Sequence, residues 1–289
     1  MTSVEADVWL QDDGELLVGH DPSSLTRNRT FTGLYVNPIR ELLDHQNPDN
    51  EFAHGTKNGI FDTDREQTLI LLVDIKTDGY KTLPAVLKHL EALRSQGYLT
   101  YFNGKTVVKG AAQVVMTGNT PFDLLVSNTT YRDVFFDAPL DKIWEDSEDR
   151  SDALRAGTIG SEDGIRQHSR PERADVAAGQ GMTGVGSITG ASFTPENSYY
   201  ASVSLRDVLG WSPQFSGLNE HQKGILRSQI KAAQTQGMKV RYWETPNWPV
   251  GLRNRVWETL LELGVDYLNV DDLKGVSKGD WVKGRWRLW

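Results

Sequence analysis

Two carboxylates near the start of the chain have a spacing that suits metal binding or acid–base chemistry. Glu5 and Asp7 lie two residues apart in the stretch S-V-E-A-D-V-W-L. Residues spaced by two along a β-strand project from the same face. Two negative charges on one face repel each other, which is costly unless a cation neutralises them. The pair therefore indicates a cation site on this face of the strand.

A second pair of charged residues follows an apolar run later in the chain. Residues 68–75 read T-L-I-L-L-V-D-I, which is typical of a strand buried on both faces, and Asp74 and Lys76 repeat the spacing of two. Three carboxylates from two neighbouring strands would form an oxygen cage for Mg²⁺, with Ca²⁺ as the alternative. Lys76 would suit an anionic phosphate oxygen. The competing interpretation is an interior layer of salt bridges among Glu5, Asp7 and Lys76.

Three further residues are candidates for the same site. His20 follows a glycine one hairpin after the first carboxylates, where it would serve as a general acid or base. The alternative for His20 is a solvated surface histidine. Trp243 ends a strand before a proline and would wall a substrate pocket, or else pack in the core. Asp271 follows the last predicted strand and would line the site.

The second half of the chain alternates helix, glycine and strand. Helices are predicted at residues 219–236 and 250–263, and strands at residues 238–243 and 267–270. This alternation is the signature of βα units with a parallel sheet. About seven main strands are predicted along the chain, one fewer than in an eight-stranded βα barrel of about 250 residues.

The domain organisation follows from this pattern. We expect residues 1–276 to form a single barrel. Residues 145–197 are polar, poorly periodic and rich in glycine and serine, so they predict a long loop or an insertion. Residues 277–289 hold three Trp and four Lys or Arg and are expected to form a C-terminal appendage.

The composition excludes several classes of function. The 289 residues are 38% hydrophobic and 24% charged, as expected of a globular protein. A net charge of −8 argues against a nucleic-acid or anionic-membrane binder. The absence of cysteine rules out thiolate chemistry and disulfides. No apolar run reaches the length of about 18 residues that a spanning helix needs. No sequence feature indicates a protein partner.

The order of these motifs resembles a known superfamily. E-A-D-V, G-H-D, V-D-I-K and N-V-D-D follow one another as in the phospholipase-C-like phosphodiesterases, which include glycerophosphodiester phosphodiesterases and the spider-venom type of sphingomyelinase D. More narrowly, the chain is similar to the fungal altered inheritance of mitochondria protein 6 family in the stretches SVEADVWL, ELLVGHD, FFDAPL, RYWETPNWP and GVDYLNVDDL. The resemblance covers residues 2–273 apart from the 145–197 insertion.

The resemblance implies a fold and an activity. The fold would be a TIM-type (β/α) barrel of the α/β class with one divalent ion, Mg²⁺ or alternatively Ca²⁺. The activity would be hydrolysis of a glycerophosphodiester or a phospholipid-type phosphodiester by acid–base catalysis. The resemblance implies that Glu5, Asp7 and Asp74 bind the metal and that His20 is a catalytic histidine. It also implies that Lys76 binds the phosphate and that Trp243 lines the substrate pocket.

The chain departs from the family pattern at its start. Family members carry a preceding strand with a first catalytic histidine in a His-Asn-Asp-Tyr stretch, and then a helix, and this sequence begins after both. We therefore expect a barrel without its first strand and helix, which binds metal poorly and turns over little. One alternative is a noncatalytic barrel that binds metal or phospholipid. Another is a glycosidase, since paired carboxylates also cleave sugars, although a neighbouring lysine fits a cation site better.

Overall fold

The structure is a computed structural model that describes residues 2–48, 57–155, 157, 189–210 and 217–278. Its residues divide into two compact units. The described part of the first unit covers residues 2–137 with a gap at 49–56, together with Glu196–Ser198. The described part of the second unit begins at Ala138 and includes the helices and strands that follow.

The first unit is built on parallel strands. Its strands are β1 (Ser3–Leu10), β2 (Leu16–Val18), β3 (Leu69–Ile75), β4 (Tyr101–Phe102), β5 (Val107–Val108), β6 (Ala112–Gly118) and β7 (Val134–Pro139, of which the part to Asp137 belongs to this unit). Within the unit the strands follow the order β2-β1-β3-β6-β7. β1, β3, β6 and β7 are parallel, and β2 pairs antiparallel with β1. β4 and β5 form a separate antiparallel hairpin.

The described part of the first unit contains four α-helices. They are α1 (Asn37–Gln46), α2 (Gly79–His89), α3 (Glu91–Arg94) and α4 (Phe122–Leu125), with a 3₁₀ turn at Pro22–Ser24 and a π-helical turn at Thr32–Val36. Leu83 and Val86 of α2 are buried, as are Ala6 and Val8 of β1. Because strand residues alternate between faces, burial of Ala6 and Val8 turns the carboxylates of β1 to the opposite face.

The second unit continues the helix–strand alternation. Its elements are α5 (Leu140–Glu145), α6 (Glu148–Arg155), a 3₁₀ turn (Gly190–Ser192), β8 (Ser198–Ser204), α7 (Leu205–Leu209), α8 (Glu220–Thr235), β9 (Lys239–Trp243), α9 (Val250–Glu262), β10 (Tyr267–Leu268) and α10 (Leu273–Lys278). β9 lies between β8 and β10 and is parallel to both. The core of the second unit includes Trp144, which packs with Ile225 of α8 and donates from its indole nitrogen to the Ser228 hydroxyl at 2.8 Å.

The mixed α/β class with parallel strands is confirmed, and a closed barrel stays a prediction. The strand predicted at the start of the chain matches β1 residue for residue. The helical spacing of residues 83–94 predicts a helix, and in the structure it begins earlier, at Gly79, because Asp78 caps it by accepting from the Lys81 amide at 2.9 Å. The structure then divides this segment into α2 and α3.

The predicted long loop at residues 145–197 contains regular structure at both ends. Residues Glu148–Arg155 form α6, and Gly190–Ser192 form a 3₁₀ turn. Residues 156 and 158–188 lie outside the described residues. α10 crosses the predicted boundary before the C-terminal appendage, and residues 279–289 lie outside the described part of the chain. The single barrel domain over residues 1–276 stays a prediction.

Candidate metal centre

The register of two strands brings the predicted carboxylates together. β1 and β3 are parallel neighbours, and Asp7 is paired with Asp74. Glu5 lies two residues before Asp7 on the same face. One oxygen from each of Glu5, Asp7 and Asp74 lies within 4.8 Å of the other two. The sequence predicted this group of three correctly as a spatial cluster, and its role as a metal site stays a prediction.

Lys76 lies between two of these carboxylates. Its Nζ is 2.6 Å from Asp74 Oδ2 and 2.9 Å from Asp7 Oδ1. The side chains of Lys76, Asp74 and Asp7 are 23%, 17% and 21% exposed, so water only partly screens their charges. Burial lowers the pKa of Lys76, but the charges and hydrogen bonds of Asp74 and Asp7 outweigh it and raise this pKa above its ordinary value. Lys76 is therefore held in its charged form.

The donor set fits a hard divalent cation. Three carboxylates and one ammonium leave two negative charges on the cluster, which a divalent ion would balance. Carboxylate oxygens bind Mg²⁺ at about 2.1 Å and Ca²⁺ at about 2.3–2.6 Å. Two oxygens on opposite sides of such an ion lie roughly 4–5 Å apart, which agrees with the 4.8 Å spread of the cluster. The geometry also agrees with the salt-bridge interpretation, because Lys76 pairs with Asp7 and Asp74.

Gly118 makes room for the Asp74 carboxylate. This glycine ends β6 with a φ of +67°, a conformation that side chains rarely adopt. A Cβ at this position would overlap Asp74 Oδ1 and the Ile75 carbonyl oxygen. Sequence reasoning missed Gly118, since a glycine at a strand end is ordinary. Only the register of β3 with β6, which pairs Ile75 with Gly118, reveals its role.

Tyr35 fixes the backbone of β1 next to the cluster. It lies on the π-helical turn Thr32–Val36, and its hydroxyl donates to the Glu5 carbonyl oxygen at 2.7 Å. Burial raises the pKa of the Tyr35 phenol, and the negative charges of Asp7 and Glu5 raise it further. π-helical turns are rare and are often found at functional sites. The sequence gave no indication of this residue.

His20 is placed near the cluster by its backbone neighbour. The amide of Gly19 donates to the Asp7 carbonyl oxygen at 3.1 Å, and the Gly19 carbonyl accepts from the Trp9 indole at 2.7 Å. The His20 side chain is 81% exposed, and its Nδ1 is 3.4 Å from Asp21 Oδ2. The histidine thus follows a residue hydrogen-bonded to β1, and its imidazole points to solvent.

The two predicted substrate-binding residues belong to the second unit. Trp243 ends β9, and its buried indole Nε1 has no hydrogen-bond partner among the described residues. The next residue, Glu244, has a φ of +52° and accepts from the Ser204 hydroxyl at 2.6 Å. Asp271 is exposed and accepts from the Asn247 amide at 3.2 Å. Their part in a substrate pocket stays a prediction.

The chain is an α/β protein, and its parallel strands hold a cluster of carboxylates beside a lysine. A family profile described as "AIM6-like phosphodiesterase domain" matches residues 1–137, which include the whole cluster. No helix in the described ranges is both long and apolar enough to cross a membrane. No solved structure matches the chain.

Curated relatives identify the family. The altered inheritance of mitochondria protein 6 homolog of Arthroderma benhamiae is 38% identical over 95% of this chain and 73% of its own length. Proteins named altered inheritance of mitochondria protein 6 from Eremothecium gossypii and Saccharomyces cerevisiae are 30% and 28% identical over 96% and 94% of this chain. The chain spans 63% of the length of each of these two. The chain belongs to the altered inheritance of mitochondria protein 6 family.

Proposed function

We propose that this family member is a metal-dependent phosphoric diester hydrolase with a PLC-like (β/α) barrel. The observation that carries the proposal is the cluster of Glu5, Asp7 and Asp74, whose oxygens lie within 4.8 Å of one another next to a lysine. The profile match to a phosphodiesterase domain supports the reaction class. The substrate we propose is a glycerophosphodiester or a phospholipid-type phosphodiester.

The three carboxylates would hold the cation, Mg²⁺ or alternatively Ca²⁺. When bound there, the ion would supply a positive charge that stabilises negative charge developing on the phosphate oxygens. Glu5 is held for this role through its carbonyl by Tyr35, and Asp74 by the space that Gly118 leaves. Tyr35 thus fixes the backbone of β1 at Glu5, and Gly118 admits the Asp74 carboxylate, before any ligand arrives.

Lys76 is suited to bind the phosphate. An ammonium group has three N–H donors, and within the described residues two of them point to Asp7 and Asp74. The third donor remains available to an anionic oxygen of the substrate. Because Asp7 and Asp74 hold Lys76 in its charged form, the phosphate would meet a cation rather than a neutral amine.

His20 would move protons. Its Nδ1 faces Asp21, which leaves Nε2 exposed for exchange with the substrate or with water. A histidine in this position would either take the proton of the attacking hydroxyl or donate one to the leaving oxygen.

The test is a turnover assay of the purified chain. Glycerophosphocholine and a short-chain lysophospholipid would be supplied with Mg²⁺ or with EDTA, and product formation measured for the wild type, Asp74→Asn and His20→Ala. Turnover that requires Mg²⁺, Asp74 and His20 together supports the proposal. Turnover that survives EDTA and the Asp74→Asn change contradicts it and favours a glycosidase-like or other metal-free mechanism.

A noncatalytic binding barrel is the second candidate. The exposure of the His20 side chain, which pairs only with Asp21 among the described residues, favours it. A wild-type chain that binds Mg²⁺ and inorganic phosphate in calorimetry but turns over no substrate would establish this second function. A chain that binds neither ligand would contradict both candidates.

A further inference from the structure

The first unit contains a buried hydroxyl that nothing satisfies. Thr117, the penultimate residue of β6, is 1% exposed, and its Oγ1 has no hydrogen-bond partner among the described residues. A neutral hydroxyl buried in this way lowers the stability of the fold, because it has lost its hydrogen bonds to water. Unsatisfied buried groups in native proteins are few, so each requires an explanation.

The strand register places this hydroxyl beside the acidic cluster. Asp7 of β1 is paired with Asp74 of β3, and Asp74 is paired with Thr117 of β6. Paired residues on parallel strands project from the same face, and neighbouring strands are about 4.8 Å apart. The three side chains therefore form a row across three strands, with Thr117 one strand beyond the carboxylates.

The described neighbours of Thr117 bury its hydroxyl but form no hydrogen bond with it. The Thr120 hydroxyl donates to the Thr117 carbonyl oxygen at 2.7 Å and so occupies the backbone, not the side chain. Gly118, the next residue, carries no side chain that could cover the hydroxyl. Asp74, which the register pairs with Thr117, accepts instead from the Lys76 ammonium at 2.6 Å. The hydroxyl is buried in this structure, and a ligand oxygen that reached this end of the row would find an uncommitted O–H donor.

We propose that the Thr117 hydroxyl donates a hydrogen bond to a non-bridging phosphate oxygen of the substrate. This inference rests on the proposed function, because it assigns the phosphate of that substrate to the row formed by Asp7, Asp74 and Thr117. Lys76 binds one phosphate oxygen through its third N–H, and Thr117 binds another. The unsatisfied hydroxyl is then a prepared phosphate-binding group whose partner arrives with the ligand.

Two substitutions separate this role from a structural one. Thr117→Val keeps the shape of the side chain and removes the hydroxyl, whereas Thr117→Ser keeps the hydroxyl. Inorganic phosphate binding would be measured by calorimetry in saturating Mg²⁺, with Mg²⁺ affinity and the unfolding temperature measured alongside. The matched control is Thr100→Val, because Thr100 is equally buried but its hydroxyl already accepts from the Gly110 amide at 2.9 Å.

We expect Thr117→Val to weaken phosphate binding without lowering the stability of the fold. Thr117→Val should bind phosphate about 10-fold more weakly, keep its Mg²⁺ affinity and unfold at the same or a higher temperature. Thr117→Ser should bind phosphate as the wild type does. Thr100→Val should lose stability and keep phosphate affinity.

Three results would overturn the inference. Wild-type phosphate affinity in Thr117→Val overturns the inference while leaving the proposed function intact. If Thr117→Val loses phosphate binding because its unfolding temperature falls, and Thr117→Ser does not restore binding, Thr117 has a structural role and the inference is also overturned. A wild-type chain that binds no phosphate in Mg²⁺ overturns the proposed function, and the inference with it.

Discussion

Lys76 offsets part of the charge that three carboxylates place on one strand face. Its ammonium lies within 3 Å of both Asp7 and Asp74. Exposed ion pairs stabilise proteins by about 0–1 kcal/mol, and these partly buried groups are less screened. Under the proposed function the same arrangement would serve two purposes, because the lysine that offsets the charge of the carboxylates would also present a donor to an anionic ligand.

A substitution at Gly118 should disturb the cluster without touching its charges. Gly118→Ala introduces a Cβ that overlaps Asp74 Oδ1 and imposes a positive φ on a residue with a side chain. Gly97→Ala is the matched control, since Gly97 has a φ of +69° and nothing lies within 4 Å of the added Cβ. We expect Gly97→Ala to lower the free energy of unfolding by about 1 kcal/mol.

Gly118→Ala should cost about 1–3 kcal/mol more than the control and should also weaken Mg²⁺ binding. Urea denaturation and calorimetry would measure the two quantities. Equal stability losses in the two variants, with unchanged Mg²⁺ affinity in Gly118→Ala, would show that Gly118 does not make room for the Asp74 carboxylate.

The sequence predicted the charged residues of the site but not their supports. Glu5, Asp7 and Asp74 could be found because strand alternation is strictly two-fold and an acid at the end of an apolar strand is unusual. Gly118 and Tyr35 could not be found. Their contribution depends on which strands are neighbours and on a π-helical turn, and neither leaves a periodic pattern in the sequence.

Short and irregular elements were also harder to predict than long ones. β1 and the helix that became α8 carry clear periodicity and were located to within a residue or two. α1 was not predicted, because its turns mix buried Ile39 and Leu43 with many polar residues. It is fixed by tertiary contacts, one of which is the hydrogen bond from the Tyr98 hydroxyl to Asp44 at 2.7 Å.

The link between Tyr98 and α1 should give a pH dependence. Burial, together with the hydrogen bond to Asp44 and the charge of Asp44, raises the pKa of Tyr98 to about 12. The unfolded chain releases this proton near the ordinary value of about 10. The folded state therefore holds more protons between pH 10 and pH 12, and its stability should fall with rising pH across that window.

Tyr98→Phe removes this contribution. We expect the variant to lose about 1 kcal/mol of stability at neutral pH, and to show a shallower fall between pH 10 and pH 12. The ultraviolet absorbance of the wild type minus that of Tyr98→Phe isolates the titration of this one phenol. A difference spectrum that titrates near pH 10 would show that α1 does not hold Tyr98 in its protonated form.

At the scale of the molecule, two sources of negative charge must be separated. The chain has a net charge of −8, so any divalent cation will associate weakly with its surface. The acidic cluster is different, because its three oxygens converge within 4.8 Å. All of its members lie in the first unit, and so does His20. A cation at the proposed site would therefore be held by residues of that unit, and mutation of these residues would separate its binding from general charge screening.

Thermal unfolding in a Mg²⁺ series at constant ionic strength makes that separation. A ligand that binds only the folded state stabilises it by RT ln(1 + [L]/Kd), about 1.4 kcal/mol for each tenfold increase above Kd. We expect this rise in the wild type and in His20→Ala, since His20 is no ligand of the cluster. Asp7→Asn should abolish it, whereas Asp12→Asn removes an exposed carboxylate from the nearby turn and should preserve it. If Asp7→Asn and Asp12→Asn respond alike, Mg²⁺ acts on the net charge of the surface, and the carboxylates of β1 and β3 form a salt-bridge layer with Lys76 instead of a metal centre.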